Sequence, residues 1–124
     1  DRRASSAWGN GVNTGIAFRL QDDSNFLSAY TESTSLTGAS ATVTVEKVVA
    51  GVRTVLTSVA MPASWTTLKV ISKSDGTIKV SGDATQVVNI NDTTHSTKTK
   101  VGLRSPNFGR ALSDRFDNFT VFSA

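Results

Sequence analysis

The sequence contains no cysteine, and its 124 residues include only one histidine, one methionine and two prolines. Without cysteine, the chain cannot form a disulfide framework or a zinc site made of thiolates. No apolar run approaches the roughly 20 residues that a membrane-spanning helix needs, so we expect no membrane insertion. No signal peptide is visible, and because the chain begins at Asp1 rather than at methionine, we expect an upstream part to precede it.

Groups suited to catalysis are also scarce. Glucanases need two carboxylates at a fixed separation around the scissile bond, whereas Glu32 and Glu46 are isolated in the sequence. His95 lies in a polar segment that has no nucleophile-elbow pattern around it, so we interpret it as a solvated loop histidine. We therefore predict a protein that is not an enzyme.

The charge balance is mildly basic, with 13 Lys and Arg against 10 Asp and Glu, for a net charge of +3. The basic residues are spread along the chain rather than clustered with aromatic residues, as a nucleic-acid footprint would require. We therefore predict no nucleic-acid partner.

Serine and threonine are abundant, and Val, Thr and Ile dominate the patterned segments, a usage that favours strands. Residues alternate between apolar and polar in several short segments, and turn residues separate these segments every 8–12 positions. Asp75-Gly76 suits a tight hairpin turn. The pattern predicts an all-β protein, a two-sheet antiparallel jelly-roll sandwich over residues 14–124. We expect residues 1–13 to be a linker or an irregular lead-in segment.

Several motifs, in their order and spacing, resemble those of concanavalin A-like (laminin-G-like) jelly-roll domains. The resemblance covers roughly residues 14–122 and is carried by Gly15–Phe26, Lys47–Leu56, Trp65–Val70, Asp75–Val80, Asp92, Val101–Leu103 and Phe116–Phe119. Domains of this appearance occur in bacteriophage minor tail and host-recognition proteins and beside bacterial glycoside hydrolases. They are usually non-catalytic, and they bind glycans or decorate an assembly.

The resemblance implies a lectin-like, carbohydrate-binding domain that recognises a cell surface, located in a virion tail or outside the cell. One alternative is a structural or oligomerisation domain of a tail or fibre, packed against neighbouring domains or as a homotrimer without ligand. Another is an accessory carbohydrate-binding module of a secreted bacterial hydrolase. The partner on the first interpretation is a cell-surface glycan or an anionic cell-wall polymer.

Glycan recognition uses aromatic faces that stack on sugars, together with Asn and Arg side chains that hydrogen-bond to hydroxyl groups. Arginine also suits anionic polymers. The residues of this type in suitable positions are Trp8, Tyr30, Arg104, Asn107, Phe108 and Arg110. Each has an alternative role in packing, and Tyr30 shares a face with Ser28 and Phe26.

Oxygen-rich segments suggest calcium as the only cofactor to consider, because calcium takes six to eight oxygen ligands. The candidate ligands are Asp22, Asp23, Asn25 and Asp117. The simpler interpretation of the first three is a turn whose side chains cap backbone amides. For Asp117 it is a carboxylate that accepts hydrogen bonds from a neighbouring loop, around Arg19 or Arg115.

Overall fold

The computed structural model describes residues 2–7, 15–32, 42–61, 65, 67–104 and 120–122, of which 2–7, 104 and 120–122 are described by their backbone alone. These residues form ten strands: β1 (Arg2–Ala7), β2 (Gly15–Asp22), β3 (Asn25–Glu32), β4 (Thr42–Val49), β5 (Val52–Ala60), β6 (Thr67–Ser72), β7 (Thr77–Gly82), β8 (Thr85–Asn91), β9 (Lys100–Arg104) and β10 (Thr120–Phe122). Within these ranges there is no helix, and so none that could span a membrane.

The strands form two five-stranded sheets with the orders β10-β1-β6-β7-β8 and β5-β4-β3-β2-β9. Every pairing is antiparallel. The prediction of an all-β sandwich of two antiparallel sheets is confirmed, and the arrangement is compatible with a jelly roll.

The core lies between the two sheets and follows the alternation of the strands. In β2 and β3 it takes every second residue, as Ile16, Phe18, Leu27 and Ala29 show. The other buried members of the core are Val43, Val45, Trp65, Leu68, Val70, Ile78, Val80 and Val88. Side chains between these positions therefore point away from the core, and some of them, such as Ser28 and Tyr30, are also buried.

The first strand departs from the sequence-based expectation. We expected residues 1–13 to be a linker or irregular, but Arg2–Ala7 lies inside its sheet, with β6 on one side and β10 on the other. The segment has no β-branched residue and no apolar alternation. Its extended form therefore depends on hydrogen bonds to two neighbouring strands rather than on local sequence preference.

Four connections meet at one end of the sandwich, which we call the loop end. They are the turns at 22–25, 50–51 and 73–76 and the loop at 92–99. The N–H of Gly51 donates to the carbonyl of Ser24 at 2.9 Å, which fastens the first two turns together. The loop end matters because the polar side chains that join the two sheets are gathered there.

Candidate functional site

Arg19 is the most unusual residue at the loop end. Although β2 alternates, Arg19 is only 1% exposed, and its φ of 49° lies in the left-handed region. The β2–β3 register shifts between Phe18 and Asp22, so a β-bulge turns the arginine out of the alternating pattern. The bulge directs a charged side chain from one sheet toward the other.

The guanidinium of Arg19 connects three separate segments of the chain. Nε donates to Ser72 Oγ at 2.7 Å, and Nη1 donates to the carbonyls of Asp92 and Thr94. Nη2 donates to the carbonyl of Lys73 at 3.3 Å and more weakly to that of Thr77 at 3.5 Å. All five N–H groups of the side chain therefore have acceptors.

The expected hydrogen bonds from a loop around Arg19 or Arg115 to Asp117 stay a prediction, because Asp117 and Arg115 lie outside the described residues. All five acceptors are neutral oxygens, so no carboxylate of the described residues accepts a hydrogen bond from the buried guanidinium. Burial lowers the pKa of Arg19, and the carboxylates of Asp92 and Asp75 act in the opposite direction.

The loop at 92–99 is also tied to β4. Lys47 Nζ forms an ion pair with Asp92 Oδ2 at 3.1 Å and lies 3.3 Å from Thr94 Oγ1. Burial raises the pKa of Asp92, but hydrogen bonds from Thr94 and Lys47 outweigh the effect of burial, and the net shift of the pKa is downward.

His95, which was expected to be solvated, is half-buried, and its Nε2 lies 3.3 Å from the Val48 carbonyl. The loop is thus held in place at several points.

A groove of about 400 Å³ lies beside this end, on β2, β3 and β9. Its floor is formed by Ala17 and Gly102, which pair across β2 and β9. Ala17 alternates with the core residues of β2, so the floor belongs to the outer face of the sheet. A Cβ atom built on Gly102 meets no atom within 4 Å, which shows that the groove is open above this residue.

The walls of the groove combine apolar and acidic groups. They are formed by Leu20, Asp23, Phe26 and Leu103. Phe26 is half-buried, Asp23 is exposed, and Leu103 is 44% exposed. An apolar cleft with a few polar groups at its rim is the composition typical of small-molecule binding sites.

Tyr30, a predicted ligand-binding residue, has a different setting. It is 4% exposed, and its hydroxyl lies 3.5 Å from Oε2 of Glu46, which is itself 1% exposed. Arg53 donates to the same oxygen at 2.9 and 3.2 Å, and this bond raises the pKa of Arg53. The buried ring presents no face on which a sugar could stack. Sequence reasoning missed this cluster because Glu46 and Arg53 come together only across the β4–β5 hairpin.

Two of the candidate calcium ligands at 22–25, Asp22 and Asn25, form side-chain hydrogen bonds in and next to a turn. Asp22 Oδ1 accepts hydrogen bonds from the Ser24 N–H at 2.8 Å and from Asn25 Nδ2 at 3.0 Å, and these bonds lower the pKa of Asp22. Asn25 Oδ1 accepts from the Ala50 N–H at 3.0 Å. Within the part of the chain that the structure describes, no three His, Cys, Asp or Glu side chains are grouped to hold a metal. A calcium ion at Asp22, Asp23 and Asn25 stays a prediction.

The remaining predicted site residues cannot be placed in a common site. Trp8, Asn107, Phe108, Arg110 and Asp117 lie outside the described residues. The backbone of Arg104 is the last position of β9 and pairs with Gly15. Asp23 was predicted as a calcium ligand and not as part of this groove. Ala17 and Gly102 were not predicted, because they carry no chemical signal and become a site only through the pairing of distant strands.

Comparison of the chain with models of known protein families found no match, and comparison with curated proteins found none either.

Proposed function

We propose that this protein is a non-catalytic surface-recognition domain that binds a glycan in the groove on β2, β3 and β9. The observation that carries the proposal is the open floor formed by Ala17 and Gly102 beside the Phe26 ring. Sugar rings pack their apolar faces on flat apolar surfaces, and their hydroxyl groups donate to carboxylates such as that of Asp23. The motifs that resemble concanavalin A-like jelly rolls support the same function, with a phage tail or another extracellular assembly as the setting.

A substitution at Gly102 tests the groove without disturbing the fold. Gly102 lies in a strand, its φ is not positive, and an added Cβ meets open space, so Gly102→Val is compatible with folding and favourable to strand structure. Its side chain would fill the floor of the groove. Thr54→Val is a matched control, because it adds a valine at an exposed position of β5, away from the groove.

The experiment is an array of bacterial cell-surface glycans probed with the three proteins. We expect wild type and Thr54→Val to bind the same glycans and Gly102→Val to lose them, with equal melting temperatures for all three. Retained binding by Gly102→Val would remove the groove from the proposal. Release of reducing ends from a bound glycan by wild type would contradict the non-catalytic function.

A structural or oligomerisation domain is the second candidate, and one observation favours it. Val52 and Val55 on β5 are 66% and 59% exposed, and neighbouring Val49 is 42% exposed. Strand β5 is at the edge of its described sheet, where a neighbouring chain can add a strand. Light scattering distinguishes the two functions: a stable trimer that binds no glycan supports assembly, whereas a monomer that binds glycan supports recognition. An accessory module of a secreted hydrolase would give the second result as well.

A further inference from the structure

Two clefts flank the end of the loop at 92–99, just before β9 begins. One has a volume of about 210 Å³ and is lined by Ser72, Ser74, Ser96, Thr97, Lys98 and the buried Arg19, among others. The other has a volume of about 240 Å³ and is lined by Leu20, Gln21, Lys98 and Lys100 together with the threonines on either side of Lys98. Lys98 and its two flanking threonines form the wall between the clefts.

The described residues that line the clefts carry positive charge and hydroxyl groups but no carboxylate. Among the described residues, neither Lys98 nor Lys100 forms an ion pair. The nearest carboxylate of the loop, that of Asp92, is already paired with Lys47. The two ammonium groups are therefore available to an anion from outside.

Arg19 adds to the positive potential although it cannot donate to a ligand. Its five donors end on neutral oxygens, so none of them is bonded to a carboxylate in the part of the chain that the structure describes. A charge in such surroundings is screened less than one in water, and it acts on the cleft that it lines. Ser72 Oγ accepts from Arg19, which leaves the hydroxyl hydrogen of Ser72 to be donated into the same cleft.

We propose that these clefts bind the phosphate groups of a polyol-phosphate polymer, one on each side of the Lys98 wall. Hydroxyl and ammonium donors around a small opening suit a tetrahedral oxyanion, because charge-assisted hydrogen bonds are the stronger ones. Two adjacent clefts with a shared wall suit a ligand that repeats its charge. Among the described residues, neither lining contains an aromatic side chain on which a nucleic-acid base could stack, which favours a polyol polymer over nucleic acid.

The clefts also adjoin the groove, because Leu20 lines both the groove and the second cleft. A polymer that carries sugars as well as phosphates can therefore occupy the two together. The inference rests on the proposed function for the nature of this polymer, but the phosphate site itself is tested separately from the groove.

The experiment is a titration of the isotope-labelled protein followed by amide NMR, at physiological ionic strength. The probes are glycerol-phosphate oligomers, dextran sulfate, neutral dextran and single-stranded DNA. We expect the glycerol-phosphate oligomers to shift the amide signals of residues 96–100. Lys98→Gln combined with Lys100→Gln should weaken this binding by about tenfold, since charge-assisted bonds are lost.

Lys69→Gln combined with Lys79→Gln is the matched control. It removes the same charge from β6 and β7, at positions that line neither cleft, and it should weaken binding by less than about threefold. Equal weakening by both double variants would overturn the proposal, because it would indicate non-specific attraction. Stronger binding of dextran sulfate or DNA than of the phosphate oligomers would overturn the choice of ligand.

Gly102→Val separates this proposal from the proposed function. If that variant loses neutral glycans but still binds the phosphate oligomers, both sites exist and are distinct. If wild type binds the oligomers but no neutral glycan, glycan binding in the groove is refuted and the phosphate site is supported. If the oligomers shift no signal between residues 96 and 100, the phosphate site fails whatever the groove does.

Discussion

Replacing Arg19 by methionine should destabilise the protein strongly although Arg19 touches no ligand. Methionine retains much of the length and the apolar stem of the side chain, and it occupies the same left-handed backbone position as the arginine does. The substitution therefore removes the guanidinium and little else. It removes the guanidinium donors from Ser72 Oγ and from four backbone carbonyls at the junction of the two sheets. The carbonyls of Lys73 and Thr77 keep one donor each, the N–H groups of Gly76 and Lys73.

The size of the effect follows from the number of bonds. A hydrogen bond contributes about 1 kcal/mol net, so five bonds contribute about 5 kcal/mol. Removing the charge also removes the cost of burying it, and water can enter to satisfy some carbonyls, so we expect a net loss of about 3 kcal/mol. Arg19→Lys keeps the charge but has only three donors, and it should lower the free energy of unfolding by less than Arg19→Met does.

Urea unfolding measures this loss directly, because a single domain of this size is expected to unfold in one transition. Lys79→Met is the control: Lys79 lies on β7 in no ion pair among the described residues, and its replacement should cost less than about 0.5 kcal/mol. A loss below about 1 kcal/mol for Arg19→Met would refute the reasoning, because the five bonds would then contribute little.

Three further predictions concern the turns and the buried ion pair. Gly76→Ala should cost about 1–3 kcal/mol in a thermal melt, because φ is +100° and the new Cβ would lie 2.8 Å from Asn91 Oδ1; an unchanged melting temperature would contradict this. The pKa of Asp92 is lowered by folding, so its contribution to stability is present above its unfolded pKa and is lost as the pH falls through its folded pKa. Asp92→Asn should therefore flatten the dependence of the unfolding free energy on pH below about 4. An unchanged pH dependence in this range would contradict the contribution of Asp92 to stability. Arg53→Met should destabilise by about 2–4 kcal/mol because it removes a hydrogen-bonded cation from the buried Glu46 carboxylate. Adding Glu46→Gln to that variant should recover part of the loss in urea unfolding, and no recovery would show that the charge of Glu46 is not the cause.

Much of the fold could be predicted from alternation and turn residues. The alternation in β2, β3 and β4 agrees with the observed core, in which Ile16, Leu27 and Val45 are buried, and Asp75-Gly76 marked the β6–β7 hairpin. Strand β1 was missed because its Arg, Ser and Ala residues give no local signal. Its strand structure arises from pairing with β6 and β10, which are distant in the sequence.

The candidate site was less accessible to sequence reasoning than the fold. Strict alternation would place Arg19 on the outer face of β2, and only the β-bulge, which has no sequence signature here, turns it inward. The groove depends on a pairing between Ala17 and Gly102, which are 85 positions apart. Small residues such as these acquire a role only when the strands are assembled, so composition and motifs cannot reveal it.

The most direct test of the account is the binding of cell-surface glycans to wild-type protein and to Gly102→Val, measured on the same array with both proteins shown to be folded. The account predicts that wild type binds, that the added valine abolishes binding, and that the bound glycan is released intact. Binding that survives the valine, or a glycan that is cleaved, would contradict it.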